Sequence, residues 1–274
     1  MTAYDIQAAN YNDDISHLLD LYIKLADREM AYALYDPKFS SFIALKSFPL
    51  SNPDDLRDIV NHEFTKTYRN SRIIIENNQQ ALFPENLFDR SKAKDIFSFT
   101  TPYNANEETL YTDHIKTSGM LNVFKISNLL KDIINLYFPQ AKITHYATAL
   151  LSGLLVNSEN ETEFTAHINP DFFHIVITKN NKLIFCNSFE YETIEDILYY
   201  ILASYEHFEL SPKTQPLKLY GSISRFDELK DLLNTYIMFT ELGEHPANFA
   251  FDKAFDVLPE HLYFPLLSLP LCES

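Results

Sequence analysis

His167 and His174 stand seven positions apart and come nearest, in residue type and spacing, to metal chemistry. On adjacent strands joined by Asn169-Pro170-Asp171 they would face one another across a hairpin, and a zinc site there would want a third ligand such as Asp171. The same spacing also describes two partly exposed strand histidines without any ligand. Three acid pairs, Asp13-Asp14, Asp54-Asp55 and Glu195-Asp196, carry the residue type that metal-assisted hydrolysis uses. Sequence neighbours point in different directions, however, and the last two pairs stand where a helix would begin, a place that favours negative charge by itself. Gly221-Ser222-Ile223-Ser224 lacks the second glycine of a nucleophile elbow, and Ser224 followed by Asp227 has the form of a helix cap. Cys186 lies in an apolar run with no base nearby and has the character of a small core residue. His145, His207, His245 and His261 have no helical partner or local cluster, and Asn160-Glu161-Thr162, a glycosylation acceptor in form, has no secretion signal to give it meaning.

Composition narrows the classes further. The 274 residues suit one large domain or two lobes with a real core, and 46% hydrophobic against 22% charged residues marks a folded chain. A net charge of −16 opposes binding to phosphate backbones and to anionic lipid, so no nucleic-acid partner is expected. Two unpaired-looking cysteines, Cys186 and Cys272, fit a reduced, cytoplasmic protein without a thiolate metal site. No signal peptide is visible at Met1-Thr2-Ala3-Tyr4-Asp5, and apolar runs such as Ala147 to Val156 fall short of the roughly 20 residues of a membrane span. Only four glycines occur, against an average usage of roughly 7%. Glycine is what lets a backbone curl around a phosphate.

The elements that must position any site come in a repeat. An apolar strand-like run ends at Lys46-Ser47-Phe48-Pro49-Leu50, and a helix start comes next at Asn52-Pro53-Asp54-Asp55. The same succession appears at Asn187-Ser188-Phe189-Glu190-Tyr191 and Thr193-Ile194-Glu195-Asp196, and it continues through Leu56/Ile197, Val60/Ile201 and Phe64/Tyr205. In the first copy, Leu21 to Arg28, Met30 to Asp36 and Phe39 to Leu50 predict three strands. A helix capped by Asn52 comes after them, then a strand at Arg72 to Glu76 and an apolar stretch at Ala81 to Pro84. Thr109 to Ile115 and Leu121 to Ile126 form a strand pair turning at Gly119. A helix capped by Ser127 or Asn128 has a stripe of Leu129, Leu130, Ile133, Ile134 and Tyr137. A short strand near Ile143 then leads into a helix from Ala147 to Val156, and the polar stretch Asn157 to Thr162 is the expected boundary.

The second copy repeats the order. Phe164 to Ile168, Phe172 to Thr178 and Lys182 to Tyr191 are its strands, succeeded by a helix from Thr193 to Phe208 and a strand at Leu217 to Tyr220. A further helix capped by Ser224 turns Leu229, Leu232 and Leu233 inward. Two β-β-β-α-β units result, with lobes expected at 1–158 and 159–250 and a segment, 251–274, returning to the first lobe. Its apolar run Leu262 to Leu271 predicts a last strand, or else an exposed segment for docking a partner.

That order is the mark of the ribonuclease H-like unit, and its tandem duplication is the arrangement of actin-like ATPases. The chain resembles that superfamily, its pilus-assembly PilM branch in particular, and is most similar to the Bacteroidota family domain of unknown function (DUF) 3822. The segment FHIVITKNNKLIFCNSFEYETIEDILYYILASYEHF with the adjoining PLKLYGSIS carries the resemblance, supported by MLNVFKISNLLKDIINLYFPQAKITHYATALL. The fold class it implies is α/β (α+β): two tandem ribonuclease H-like lobes in an actin-like ATPase fold, mixed sheets flanked by helices.

The resemblance also says where nucleotide chemistry would sit. Such ATPases hold the β- and γ-phosphates in two hairpin turns of an Asp-x-Gly type, whose backbone N–H groups close on phosphate oxygens. The equivalent turns here, Leu25-Ala26-Asp27-Arg28-Glu29 and Ile168-Asn169-Pro170-Asp171-Phe172, contain no glycine. Pro170 removes a donor, and Glu29 and Asp171 would set carboxylates against phosphate. At about 4 Å such a pair repels by roughly 4 kcal/mol at an effective dielectric of 20, an opposition that magnesium would offset in part. The adenosine-cradling Gly-Gly pair is reduced to Gly221 before Ser222. The expectation is therefore a non-catalytic binding or scaffold protein with degenerate phosphate turns, no cofactor, and a protein or peptide partner in or near the cleft between lobes or on an exposed strand edge. The alternative is a divergent ATPase binding ATP and magnesium through Asp27, Asn169 and Gly221, with Asp27 near the metal. A third reading is a metal-dependent hydrolase of the ribonuclease H type.

Overall fold

Leu21, Ile23 and Leu25 alternate along one strand, and Phe164, Ala166 and Ile168 along another, and all six are buried. Alternation of this kind turns one face of a sheet onto a helix layer, and each strand is the centre of its own sheet. The computed structural model describes residues 3–9, 11–156, 162–221 and 225–272, apart from the side chains of Asp13, Pro53, Asp54 and Arg90. The chain divides into two compact units, one of Thr2–Ser152, Asn248–Leu258 and Pro265–Ser274, the other of Gly153–Ala247 and Pro259–Phe264. Of the expected boundary, Asn157 to Thr162, all but Thr162 lies outside the described residues, as does the Ser224 cap.

The first unit runs β1 (Asp5–Gln7), β2 (Asp20–Leu25), β3 (Glu29–Asp36), β4 (Ser41–Pro49), α1 (Pro53–Glu63), β5 (Asn70–Ile75) and β6 (Gln80–Pro84). It continues through α2 (Ala93–Ser98), β7 (Glu108–Ile115), β8 (Met120–Ser127), α3 (Asn128–Tyr137), β9 (Lys142–His145) and α4 (Tyr146–Val156), whose last turn falls in the second unit. The second unit runs β10 (Thr162–Ile168), β11 (Phe172–Lys179), β12 (Lys182–Glu190), α5 (Ile194–His207), β13 (Leu217–Gly221), α6 (Phe226–Asn234) and β14 (Thr240–Leu242). The main sheets have the orders β1-β4-β3-β2-β5-β9 and β12-β11-β10-β13-β14. In both, the meander pairs antiparallel and the last two strands join in parallel. The duplication expected from the sequence is therefore present strand for strand.

The helix starts repeat as well. The Asp55 carboxylate accepts from the backbone N–H groups of Ser51 and Asn52 at 2.7 and 2.8 Å, and Asp196 accepts from Glu192 and Thr193 at 3.1 and 2.8 Å. These bonds hold both carboxyls below the usual carboxylate range, so two of the acids that resembled catalytic pairs are helix caps. Leu56, Ile59 and Val60 turn α1 onto one face of its sheet, and Ile197, Ile201 and Tyr205 do the same for α5.

Three sequence expectations are corrected. Strand β2 stops at Leu25 instead of reaching Arg28, because Ala26 to Arg28 form the hairpin turn. Leu129 is exposed, so the buried stripe of α3 centres on Leu130 and Ile134. The C-terminal run is no strand: Phe264–Leu267 is a short helix and Leu269–Leu271 a 3-10 turn, since Pro265 and Pro270 each lack the N–H that a ladder needs. Phe264, Leu266, Leu267 and Leu269 are buried there, which also removes the exposed docking segment. Among the described residues no helix is long and apolar enough to cross a membrane.

Strands β6, β8 and β7 form a third, three-stranded sheet between β5 and α3. Asp113 on β7 stands opposite Asn122 on β8 in a buried polar knot. His145 N–H and the Thr148 hydroxyl donate to Asp113 Oδ2 at 2.7 and 2.8 Å, and Asn122 Nδ2 donates to Thr148 Oγ1 at 3.0 Å. Burial raises the Asp113 carboxyl to about 6, with these bonds opposing it. Because the folded pKa exceeds the unfolded one, the native state holds the extra proton between about pH 4 and 6, and stability falls as pH rises through that window. Across that window the loss amounts to roughly 3 kcal/mol. Urea unfolding of the wild type and Asp113→Asn at pH 4 and pH 7 should show the wild type losing about that much more than the variant. Equal losses would show that Asp113 titrates normally.

Candidate functional site

The first hairpin turn joins β2 to β3, with Ala26 N–H donating to Glu29 O at 2.9 Å. The second joins β10 to β11 with the corresponding bond, Asn169 N–H to Phe172 O, also at 2.9 Å. The backbone of the two turns is thus the same device built twice, and what differs is the side chains around it.

In the first turn Asp27 and Arg28 are exposed, while Glu29 and, just before the turn, Lys24 point inward. The buried Lys24 ammonium lies 2.7 Å from Glu29 and 3.2 Å from Glu76, the residue just after β5. Burial pulls the lysine pKa down, but the attraction of Glu76 and Glu29 outweighs it and holds the ammonium above its usual range. Burial raises Glu76 in turn, with Lys24 opposing and Glu29 and Asp27 adding to the rise. One cation is therefore shared between two buried carboxylates. Sequence reading missed this triad, although a lysine inside Leu21-Tyr22-Ile23-Lys24-Leu25 announces a partner by its setting.

In the second turn Asn169 is buried and Asp171 exposed. The Tyr191 hydroxyl, from just beyond β12, reaches Asn169 O at 2.5 Å and Pro170 O at 2.9 Å. That hydroxyl braces the turn from its carbonyl side. Gly221, at the end of β13, has φ of +79°, and a Cβ there would meet Ile168 O at 2.0 Å. Its N–H donates to His261 O at 2.9 Å. Close packing against β10 accounts for this glycine without any adenosine. Gly221 and Asn169 belong to the second unit and Asp27 to the first.

The remaining candidates resolve locally. His167 and His174 are direct cross-strand neighbours on β10 and β11, as their spacing predicted, but both are buried instead of partly exposed. Burial drives His174 down to about 3. Among the described residues no three His, Cys, Asp or Glu side chains gather in a way that would hold a metal. Desolvation pushes the Cys186 thiol up to about 12, which leaves it unreactive.

The second unit also holds a cleft of about 520 Å³ between the last turn of α4 and the strands β10, β13 and β14. Glu163, Lys218, Tyr220, Glu241 and Glu244 line it, and Lys218 pairs with Glu163 at 3.4 Å.

A crystal structure of a Bacteroides thetaiotaomicron protein with actin-like ATPase fold and unknown function superposes with a TM-score of 0.81 at 20% identity, covering 96% of this chain and 99% of that one. The PilM-PilN type IV pilus biogenesis complex superposes at 0.63 with 13% identity, covering 94% and 100% respectively. These likenesses establish an actin-like ATPase fold. No curated protein matches the chain in sequence. Residues 8–238 match the family described as "Protein of unknown function (DUF3822)", and the chain belongs to that family.

Proposed function

We propose that this protein is a non-catalytic, protein-binding or scaffold form of the actin-like fold, a pseudo-ATPase working in the cytoplasm without ATP or magnesium. The observation that carries this reading is the Lys24 triad: the lysine beside the first turn is already committed to Glu29 and Glu76. A triphosphate approaching there would meet carboxylates, and replacing them at Lys24 would leave two buried acids unpaired. The second turn supports the same reading, since Pro170 has no N–H to offer and Tyr191 braces the carbonyls. A protein partner is supported by the presence of a PilM-PilN complex among the structures of this fold.

Equilibrium titration with a fluorescent ATP analogue and magnesium tests the proposal. No saturable binding is expected at micromolar concentrations. Saturable binding that disappears in Asp27→Ala would overturn it in favour of a divergent ATPase.

A further inference from the structure

Strand β14 ends the sheet of the second unit, and among the described residues no strand pairs with its outer side. It runs parallel to β13 with Leu217 opposite Thr240 and Leu219 opposite Leu242. Phe239 O accepts from Leu217 N–H at 2.9 Å, and Gly243 N–H donates to Leu219 O at 2.8 Å. In a parallel ladder this alternation turns the backbone of Glu241 toward β13, so Thr240 and Leu242 present their N–H and C=O groups outward. Short edge strands are commonly protected by charge or proline. Glu241 is the one charge on β14, and around it Tyr236, Met238, Phe239 and Leu242 are 57, 67, 45 and 40% exposed within seven residues. Four large apolar side chains beside an open edge make a patch of the kind that marks protein contact.

The neighbouring cleft supplies the charge. Among its described lining residues Lys218 is the single Lys or Arg against three acids, Glu163, Glu241 and Glu244; it pairs with Glu163 at 3.4 Å and stands opposite Glu241 in the strand register, so the lining carries an excess of negative charge. His245, also in the lining, is driven down to about 4 by burial and is neutral at pH 7. A second copy of this chain is a poor occupant, because it would bring the same acids and a net charge of −16 against themselves.

We propose that β14 is the docking edge for an extended, basic segment of a partner protein. The segment adds as a further strand through Thr240 and Leu242, lays apolar side chains on Tyr236, Met238 and Phe239, and places a lysine or arginine in the cleft beside Glu241 and Glu244. This rests on the protein-binding reading above and names its surface and partner chemistry.

The test is selection of a phage-displayed random peptide library on the full chain, and then fluorescence anisotropy with the enriched peptides. Enriched sequences should alternate apolar residues with Lys or Arg. Their affinity should fall at least tenfold in Leu242→Pro, which removes an outward N–H without touching the β13 ladder. The double variant Glu241→Arg/Glu244→Arg, which reverses the charge in the cleft and leaves every backbone N–H of β14 in place, should lose binding to a similar extent and keeps the test decisive if the proline variant misfolds. Three outcomes overturn the inference: no enrichment, enriched peptides that bind wild type and both variants alike, or a wild-type dimer that Leu242→Pro converts to monomer. Equal binding by all three proteins would leave the protein-binding reading standing, whereas saturable binding of the ATP analogue would remove that reading itself.

Discussion

Lys24→Met should lower the unfolding free energy by about 3–5 kcal/mol, the cost typical of stripping one partner from a buried ion cluster. The lysine sits between Glu29 and Glu76, both buried, and its removal leaves two carboxylates facing one another in a medium that solvates neither well. The double variant Lys24→Met/Glu76→Gln should recover part of the loss, since one charge then remains instead of two. Urea denaturation of the three proteins, compared by midpoint and slope, measures this directly. A loss below about 1 kcal/mol for Lys24→Met, the range of exposed pairs, would show that water reaches the triad. It would also reopen the first hairpin turn to phosphate.

Gly221→Ala is the second large effect, expected at about 3 kcal/mol or more. Two costs combine at this position. An L-residue held at positive φ costs roughly 1–2 kcal/mol by itself. The new Cβ would also press on the Ile168 carbonyl oxygen at 2.0 Å, and a backbone atom of a paired strand cannot swing aside as a flexible side chain would. Gly119 is the internal control, because its φ is also positive, at +64°, but nothing lies within 4 Å of a Cβ there. Gly119→Ala should therefore show the conformational cost alone. If thermal melts place the two variants within experimental error of each other, the close approach to β10 is not the reason for Gly221. A role in gripping a ligand would then regain its standing.

The repeat was legible because its signals are local. Apolar alternation, the proline and acids after Asn52, and the acids after Thr193 each act within a few residues, and they led to both meanders and both capped helices. The third sheet was not legible as a sheet. Strands β7 and β8 were foreseen as a pair and β6 only as an apolar stretch, and their separation from β2 to β5 is a matter of long-range pairing that periodicity does not encode. The C-terminal run misled for a similar reason: apolarity alone suggested a strand, while Pro265 and Pro270 opposed one. Around the turns, the absence of glycine was plain in the sequence. The triad was not, because Glu76 reaches Lys24 only through the parallel pairing of β5 with β2. The edge of β14 was invisible too, since being last in a sheet is a property of topology and not of three residues.

The two halves differ most beyond their fourth repeated strand. In the second unit only residues 222–225 separate β13 from α6, whereas in the first the whole β6-β8-β7 sheet intervenes between β5 and α3. Such an addition is usually pictured as a detachable ornament. This one is not, for Phe124 and Ile126 of β8 are buried in the same core as Leu21, Ile23 and Ile73, and the Phe124 ring lies 5.1 Å from that of His145. The extra sheet is masonry: the first half cannot be cut back to the symmetrical plan it shares with its twin without opening its own core.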